Sequence, residues 1–463
     1  MGMNSKIILY SLLVVCLACT TLQEPTIEEK AQSVIDQITQ PIFPNQSVNI
    51  IDFGAVGDGV ADDSSSIAEA IQVCFSMGGG KVIVPKGIFL TGPIHLESNI
   101  NLHLEEGARV IFKTNPAAYL PVVATTYEGI EIMNYSPLIY AKDKENIALT
   151  GKGIFDGQAN ETNWWPWCGK EIYGFKDGMQ SQRDDHNIER LHRFNREQTP
   201  PEQRIFGEGH QLRPTFFEAY QCNNVLVSGP TFTNAPFWLI HPFKSTNVTV
   251  ENASFISHGP NNDGCDPEYS KNVLIQNCLF DTGDDCIAIK SGRNEDGRRI
   301  NLPSENIVVR NCIMKDGHGG VVMGSEISAG VKNVFVLNCE MSSPNLDRAI
   351  RIKTNTLRGG FVDGVYVKNL EVGQVKEAAL KINTYYGIYG IQEGEFIPRI
   401  ENIYFENVSV ENGGKYGVLI QGRPEQLVRN IFFKNVVIKA SQEKPLIENA
   451  DPIQLVNSSI QGL

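Results

Sequence analysis

A short pattern of polar and apolar positions recurs along the second half of the chain. Each copy has Asn, a β-branched residue, a variable residue and an apolar residue, and in all copies but the first a second Asn follows five positions after the start. The copies begin at Asn224, Asn247, Asn272, Asn306, Asn333, Asn402 and Asn430, and Gly364 fills the same place in one more. Because Asn tolerates a left-handed bend, the pattern predicts short strands joined by tight turns.

The constant register of these copies predicts how they stack. A further apolar segment, such as Cys286 to Ile289, follows the copies and supplies a third strand. The Asn side chain can hydrogen-bond to its own copy in the next coil, and stacked coils form a parallel β-helix whose variable loops emerge on one side. All-β folds with alternating strand directions do not need this Asn register. We therefore expect an all-β chain, a single-stranded solenoid of the parallel β-helix type.

Two segments depart from the repeat. Within the opening residues 50–112, Ser64 to Met77 has the spacing of an amphipathic helix with a Ser cap, and such an N-terminal capping helix would cover the open end of the solenoid. The repeat is lost between Asp156 and Pro214, a segment that contains three of the four Trp residues. We expect an ordered lid beside a site there, with a loop packed for stability as the alternative.

The N-terminus has the features of an export signal. Residues 1–19 combine Lys6 with a short apolar run that ends at Cys16 and Cys19. Cys19 stands where a bacterial lipoprotein carries its lipid, although Cys16 replaces the usual Leu, so ordinary cleavage is the alternative. We expect a periplasmic, surface-anchored or secreted protein, with a polar spacer over 20–47 and one β-helix domain over 48–463 that carries the insertion at about 156–214.

Composition narrows the range of partners. The chain has 463 residues, 41% of them hydrophobic and 20% charged, which is typical of a globular protein. A net charge of −13 argues against nucleic acid or an anionic membrane as a general partner, but it allows an acidic ligand where basic residues cluster. The cysteines form no CxxC pair or Cys/His spacing, so we expect no metal site and no cofactor.

Charged residues recur at one edge of four successive repeats. When positions are counted from the Asn that starts each copy, this edge carries Asp263, Asp284, Asp285, His318, Arg351 and Lys353. Coils stack at about 4.8 Å, so these side chains should lie within roughly 15 Å of one another. Neighbouring carboxylates make one of them retain its proton, as general acid and base catalysis requires. Asp-Gly turns and a surface ion-pair network are the simpler interpretation, but convergence from separate coils favours a functional site.

These residues also carry a family resemblance. The segments NNDG at Asn261, GDD at Gly283, GHG at Gly317 and RIK at Arg351 resemble the four motifs of glycoside hydrolase family 28, the polygalacturonases. The N-terminal IDFGAVGDG segment resembles the opening of that family's right-handed β-helix, and the resemblance covers about residues 49–440. Asn262 and Cys265 depart from the residues most common in the family, and neither change removes a catalytic group.

The resemblance implies a function that can be compared with the chemistry. Family members hydrolyse α-1,4 bonds of galacturonan with inversion, and this protein resembles its bacterial exo-acting members. Asp284 would be the general acid, Asp263 and Asp285 would activate water, and His318 would tune the protonation of the acid. An inverting pair is expected to stand about 6.5–9.5 Å apart. Arg351 and Lys353 would bind the sugar carboxylate.

Further substrate contacts and rival functions remain open at this point. Candidate contacts are Asn261, Lys290, His241 and either Tyr385 or Tyr386. The expected partner is a polyanionic pectic polysaccharide or oligogalacturonide, and a monomer is expected by analogy. The rivals are a rhamnogalacturonan or xylogalacturonan hydrolase of the same family, a Ca²⁺-dependent pectate lyase and a non-catalytic glycan-binding solenoid. Closure of one end of the cleft by the long insertion would favour exo attack.

Overall fold

The chain winds as a right-handed parallel β-helix, which confirms the predicted fold class. The structure is a computed structural model and describes residues 24–387 and 393–463. A sheet of 22 strands covers two faces of the coil, and sheets of four and six strands form the third face. Bridges from Cys265 to Ile240 and to Ile287 join these two smaller sheets into one continuous surface.

Neighbouring coils pair in parallel on all three faces. The first face contains Ser47–Asn49, Gly80–Val84, Ile100–Leu104, Glu145–Gly151, Asn223–Ser228, Thr246–Glu251, Lys271–Gln276, Ser304–Arg310 and Gln454–Val456. The second face contains Asp58–Asp62, Gly87–Thr91, Ala108–Phe112, Ile154–Asp156, Thr231–Thr233, Ser254–Ser257, Leu279–Thr282, Ile313–Met314 and Ser459–Ile460. Four long strands run across both faces: Val331–Met341, Phe361–Gln374, Arg399–Asn412 and Arg429–Ile438.

The third face carries the strands that matter for function. They are Ile94–His95, Ile139–Lys142, Phe217–Tyr220, Ile240–Phe243, Ile287–Ile289, Val321–Gly324, Arg348–Lys353, Ala378–Asn383, Gly417–Gln421 and Leu446–Glu448. Pairing of these strands aligns one residue from each successive coil, and we call this line of residues the outward row. Its members are Tyr140, Glu218, His241, Asp266, Ala288, Val322, Arg351, Lys381, Leu419 and Leu446. Side chains in this row project away from the apolar interior, because successive residues of a strand point to opposite sides.

The repeated Asn residues make the turns, as the sequence predicted. Asn247, Asn272 and Asn306 have φ values of 57°, 56° and 59°, in the left-handed region. Each donates a side-chain hydrogen bond to the equivalent Asn of the preceding coil, for example Asn306 to Asn272 at 3.1 Å. The second Asn of each copy forms a parallel ladder, for example Asn435 to Asn407 at 2.9 Å. These ladders satisfy polar groups at the bends and keep the coils in register.

The N-terminal end is covered as expected, with one difference in detail. The helix Ser64–Ser76 buries Ile67, Ile71 and Cys74 against the first coils. The prediction of a Ser cap was wrong: Asp63 occupies the cap position, and Ser64 is the first helical residue. The Ser64 hydroxyl instead accepts a hydrogen bond from the Gly92 amide at 2.7 Å.

Residues before the solenoid also contact it. The helix Ile27–Ile35 is capped by Thr26 and packs its apolar side on Leu274, Val308 and Phe335 outside the first face. The export signal at 1–19 and Cys19 lie outside the described residues. Within residues 24–387 and 393–463, no helix is long and apolar enough to cross a membrane.

Insertions cover one half of the third face. The antiparallel hairpin Val123–Tyr127 and Ile130–Asn134, which the repeat did not predict, lies over the strands that precede the site. It packs with the long insertion, which contains Trp165–Cys168, Glu171–Tyr173, Asp185–Glu189, Arg190–Arg196 and Pro201–Gln203. A buried ion pair from Arg204 to Asp296, with nitrogen–oxygen distances of 2.5 and 2.9 Å, fastens both to the helix Asn294–Ile300. We call this assembly the end wall. The remaining short helices are Ile50–Phe53 and Pro116–Tyr119.

Candidate active site

The predicted acids converge where the second face turns into the third. Asp263 precedes the Cys265 bridge, while Asp284 and Asp285 lie between the strands Leu279–Thr282 and Ile287–Ile289. They line or underlie a cavity of about 300 Å³, a size that suits a small ligand. The other predicted residues that line it are Asn261, Lys290, His318, Arg351, Lys353 and Tyr386.

Each carboxylate has a different partner. The Asp284 Oδ1 atom lies 2.9 Å from His318 Nδ1 and also accepts the Asp285 amide at 3.0 Å. Asp285 is fully buried; it accepts a hydrogen bond from Lys353 Nζ at 2.7 Å and lies 3.6 Å from Arg351. Partners that carry positive charge stabilise the ionised form of a buried carboxylate. The three acids are therefore placed in three distinct electrostatic environments.

The pKa values of Asp263 and His318 are raised, whereas that of Asp284 is lowered. Burial, followed by the charges of Asp266 and Asp284, raises the pKa of Asp263 well above its ordinary value. Burial also opposes the charge of Asp284, but the charge and hydrogen bond of His318 more than offset it and lower the pKa of Asp284. The charge of Asp284 in turn raises the pKa of His318 to about 9. In the free protein, protons thus favour Asp263 and His318.

The carboxylates lie closer together than the resemblance implied. One oxygen each of Asp263, Asp284 and Asp285 falls within 4.8 Å of the others. The separation of about 6.5–9.5 Å expected for an inverting pair is therefore not found between the nearest oxygens. A water that donates to two carboxylates at ordinary hydrogen-bond lengths needs acceptor oxygens about 4.5 Å apart. The observed spacing suits a single water shared between two of these acids.

The same spacing raises the question of a cation. Among the described residues, two groups of side chains have oxygens or nitrogens near enough to share an ion: Asp263, Asp284 and Asp285, and His258, Asp281 and Asp316. In the first group, Lys290 lies 3.6 Å from Asp263 and Lys353 lies 2.7 Å from Asp285. Two ammonium groups at these distances repel a further cation, and Ca²⁺ needs six to eight oxygen ligands. The charges favour water over Ca²⁺ in the cluster.

Two predicted substrate contacts lie away from the cavity. His241 is in the outward row, as its strand position indicated, but it is fully buried. Its ring nitrogens face Glu218 at 3.3 Å and Glu268 at 3.0 Å, and the hairpin covers Glu218 through a 2.8 Å hydrogen bond from Thr125. The prediction that His241 contacts substrate is therefore wrong in this structure, because the hairpin occupies the space above it.

Of the two candidate tyrosines, Tyr385 also lies away from the cavity, whereas Tyr386 lines it. The ring of Tyr385 lies under the guanidinium of Arg423, with 3.7 Å from the guanidinium carbon to the ring centroid, and Tyr385 does not line the cavity. Tyr386 does line it and faces both Arg351 and Lys353, at 5.5 and 5.3 Å. Of the two alternatives, the structure brings Tyr386 to the site. Asn261 also lines the cavity and accepts a hydrogen bond from Arg213 at 2.8 Å.

Several lining residues were not predicted from the sequence. They are Glu128, Lys170, Trp238, Ser325, Glu326, Asp347 and Arg348. Arg348 begins the strand that carries Arg351 and could have been found by extending that strand. Glu128 and Lys170 come from the end wall, where the repeat gives no register. Trp238 lies two residues before the third-face strand Ile240–Phe243, and Lys290 Nζ lies 4.5 Å from its ring centroid.

The fold and the site together define a β-helical glycoside hydrolase. The family model described as glycosyl hydrolases family 28 matches residues 203–459, and one described as rhamnogalacturonase A/epimerase, pectate lyase-like matches residues 47–138. The chain belongs to glycosyl hydrolases family 28.

Individual relatives agree with this assignment. The solved structure of a hyperthermoactive exopolygalacturonase from Thermotoga maritima is 43% identical, has a TM-score of 0.89, and the match covers 94% of this chain and 98% of that one. The exo-poly-alpha-D-galacturonosidase of Dickeya chrysanthemi is 27% identical over 79% of this chain and 62% of its own length. A probable polygalacturonase of Vitis vinifera is 27% identical over 79% of this chain and 69% of its own.

Proposed function

We propose that this protein is an exo-acting polygalacturonase that hydrolyses α-1,4 bonds of galacturonan with inversion. The observation that carries the proposal is the meeting, at one cavity, of three buried or half-buried aspartates with Arg351 and Lys353. Acids alone would serve many glycosides, but a guanidinium and an ammonium beside them suit an anionic uronate. The polyanionic substrate is thus matched to a local basic region on a protein of net charge −13.

The contacts support a division of roles. Asp284, hydrogen-bonded to His318, protonates the leaving oxygen. Asp263 and Asp285 hold the attacking water between them and take up its proton. Arg351 and Lys353, facing the ring of Tyr386, hold the carboxylate of the sugar at the cleavage site. Positioned acid and base groups of this kind each contribute roughly 10²–10⁴-fold to a rate.

The protonation states of the site support the same roles once a proton has moved from Asp263 to Asp284. The raised pKa values of Asp263 and His318 place protons on these two groups in the free protein. The productive state needs a proton on Asp284 and a charge on Asp263. A transfer between the two carboxylates, whose oxygens lie within 4.8 Å, achieves this without any change in the number of protons.

Exo action is supported by the two ends of the cleft. Glu128 of the hairpin and Lys170 of the long insertion line one end of the cavity. At the other end, Asp347 and Arg348 also line a second groove of about 690 Å³ that continues past Lys381 along the outward row. A chain end enters the closed cavity, and the rest of the polymer leaves along the open groove. This arrangement selects terminal residues because an internal segment has no path through the end wall.

The product pattern tests this proposal. Homogalacturonan should yield galacturonic acid alone from the first minutes, and its anomeric proton by NMR should show the inverted configuration. A ladder of oligomers would contradict exo action, and the retained anomer would contradict inversion. Cleavage of rhamnogalacturonan or xylogalacturonan but not homogalacturonan would favour the other hydrolases of this family. An unsaturated, ultraviolet-absorbing product that disappears with chelator would identify a lyase.

We also propose that the protein is exported, acts as a monomer and carries a lipid at Cys19. A polymeric substrate cannot be expected inside the cell, and the signal-like residues 1–19 support export. Fractionation of cells that express wild type and Cys19→Ala tests the anchor. The wild type should stay with membranes and the variant should be released, and equal release of both would contradict lipidation. Sedimentation of the released form measures the oligomeric state.

A further inference from the structure

Lys290 is the most enclosed cation at the edge of the cavity. Its side chain is 3% exposed, and its Nζ atom lies 3.6 Å from Asp263, 3.7 Å from Asp266 and 3.5 Å from Glu326. The face of Trp238 closes a further side, with its ring centroid 4.5 Å from Nζ. An ammonium group has three donors, and three carboxylates and an aromatic ring already surround this one.

This environment argues against a direct role in binding substrate. A substrate carboxylate beside Lys290 would be a fourth anion in the group, and it would be repelled by Asp263, Asp266 and Glu326 at short range. Lys353, by contrast, has one carboxylate partner, Asp285, in the part of the chain that the structure describes. The contrast separates two kinds of lysine at one site. Lys353 retains capacity for a substrate anion, whereas the charge of Lys290 is already needed by the protein.

The anions around Lys290 do not depend on it equally. Glu326 has other partners, because it accepts a hydrogen bond from Ser325 at 2.7 Å and lies 3.7 Å from Arg358. Asp266 is fully buried, and within the described part of the chain neither of its carboxylate oxygens accepts a hydrogen bond. Asp263 has no other cation within ion-pair distance among the described residues. Asp263 and Asp266 thus share one close positive charge.

We infer that Lys290 is a positioning residue that keeps one negative charge on the Asp263–Asp266 pair, so that Asp263 can accept the proton of the attacking water. The inference rests on the proposed function of the site. In the productive state Asp263 has given its proton to Asp284, whereas Asp266, whose pKa is also raised by burial, keeps its proton. The two buried acids then hold a single charge beside one cation, and this charge resides on Asp263 when water attacks. Asp284 and Asp285 have oxygens within 4.8 Å of an Asp263 oxygen, and as further anions they oppose a charge on Asp263.

The direction of the effect follows from these charges. Without Lys290, Asp263 would lose its closest positive charge, and its already raised pKa would rise further. An opposite charge at this distance usually moves a carboxyl pKa by about one to three units. Without the competing acid at 266, the pKa of Asp263 would fall instead, since Asp266 is the first of the charges that raise it.

Kinetics of four variants on short galacturonate oligomers test the inference. Lys290→Met should move the acid limb of the kcat/KM profile up by about one to three pH units, with little change in KM. Lys290→Arg, which keeps the charge, should recover most of the activity. Asp266→Asn should move the limb down, and the double variant Lys290→Met/Asp266→Asn should lie between the two single variants.

The results distinguish a Lys290 that is the counter-ion of Asp263 from a Lys290 that binds the substrate directly. A large rise in KM for Lys290→Met with an unmoved acid limb would overturn the inference, as would a double variant no better than Lys290→Met. Thermal melting checks that each variant is folded. If Lys290→Met does not fold, the test rests on Asp266→Asn alone. An acid limb of the kcat/KM profile that does not move in Asp266→Asn would then contradict the inference. Wild-type protein that releases no galacturonate would instead refute the proposed function.

Discussion

Replacement of Asp284 by Asn tests the assignment of the general acid most directly. The substitution keeps the shape of the side chain and removes both the transferable proton and the negative charge. Loss of general acid catalysis typically reduces a rate by about 10²–10⁴-fold, which corresponds to about 3–5 kcal/mol of activation free energy. We expect turnover of galacturonan to fall within this range while the affinity for substrate is kept.

The structure gives a second magnitude for the same variant. Asp284 is the largest cause of the rise in the pKa of His318 to about 9 from 6.5. The His318 side chain is 51% exposed, so solvent screens part of this interaction and the full difference should not be expected. We predict that the pKa of His318 falls by at least about one unit in Asp284→Asn, as measured by NMR titration of the ring.

The leaving group supplies the control. A galacturonide with an acidic phenol as its leaving group needs little protonation, so Asp284→Asn should lose much less activity on it than on the polymer. Asp263→Asn should lose activity on both substrates, because each still needs activated water. Equal losses of Asp284→Asn on the two substrates, or more than a tenth of wild-type turnover on the polymer, would refute the assignment of Asp284 as the acid.

Three other expectations follow from single contacts. Lys353→Met should lower kcat/KM about 10- to 100-fold, because buried Asp285 loses a 2.7 Å charged hydrogen bond, while Lys353→Arg should retain more activity; equal losses would count against a role for the charge. Lys381→Ala should raise KM for long oligomers but not for digalacturonate, since Lys381 lies in the groove beyond the cavity; a uniform rise would contradict this. The stability gained from the ion pair of His318 should be present below about pH 6.5 and disappear as the pH rises through about 9, because folding raises the pKa of His318; melting of wild type and His318→Asn against pH measures it.

The repeat explains why so much of the site could be predicted from sequence. Every coil turns at the same Asn positions, so the distance along the chain from an Asn to a later residue fixes where that residue lies on the coil. Asp284 and His318 both stand twelve residues after such an Asn, at Asn272 and Asn306, and the structure places them in direct contact at 2.9 Å. Parallel pairing therefore converts sequence spacing into spatial proximity with little loss.

Spacing from the repeated Asn residues does not predict whether a residue is exposed where one part of the chain covers another. Position alone put His241 on the open surface, and the pairing of its strand agrees. The hairpin Val123–Asn134 comes from an earlier coil and lies over that strand, and its apolar residues Ile130 and Ile132 pack into a core shared with the long insertion. Short apolar strands of this kind have no feature that distinguishes them from strands of the solenoid. Only their tertiary contacts reveal that they close the cleft.

Availability of a cation for substrate depends on how many carboxylates surround it. The four basic residues predicted to contact the substrate lie on the outward side of the third face, yet His241 lies between two glutamates and Lys290 among three carboxylates. Lys353 has one such partner, and Arg351 has its nearest carboxylate at 3.6 Å and a buried Nε without a hydrogen bond among the described residues. A buried donor without a partner is costly unless a ligand completes it. Arg351, with Lys353 beside it, is therefore the position at which a substrate carboxylate adds most to the stability of the complex.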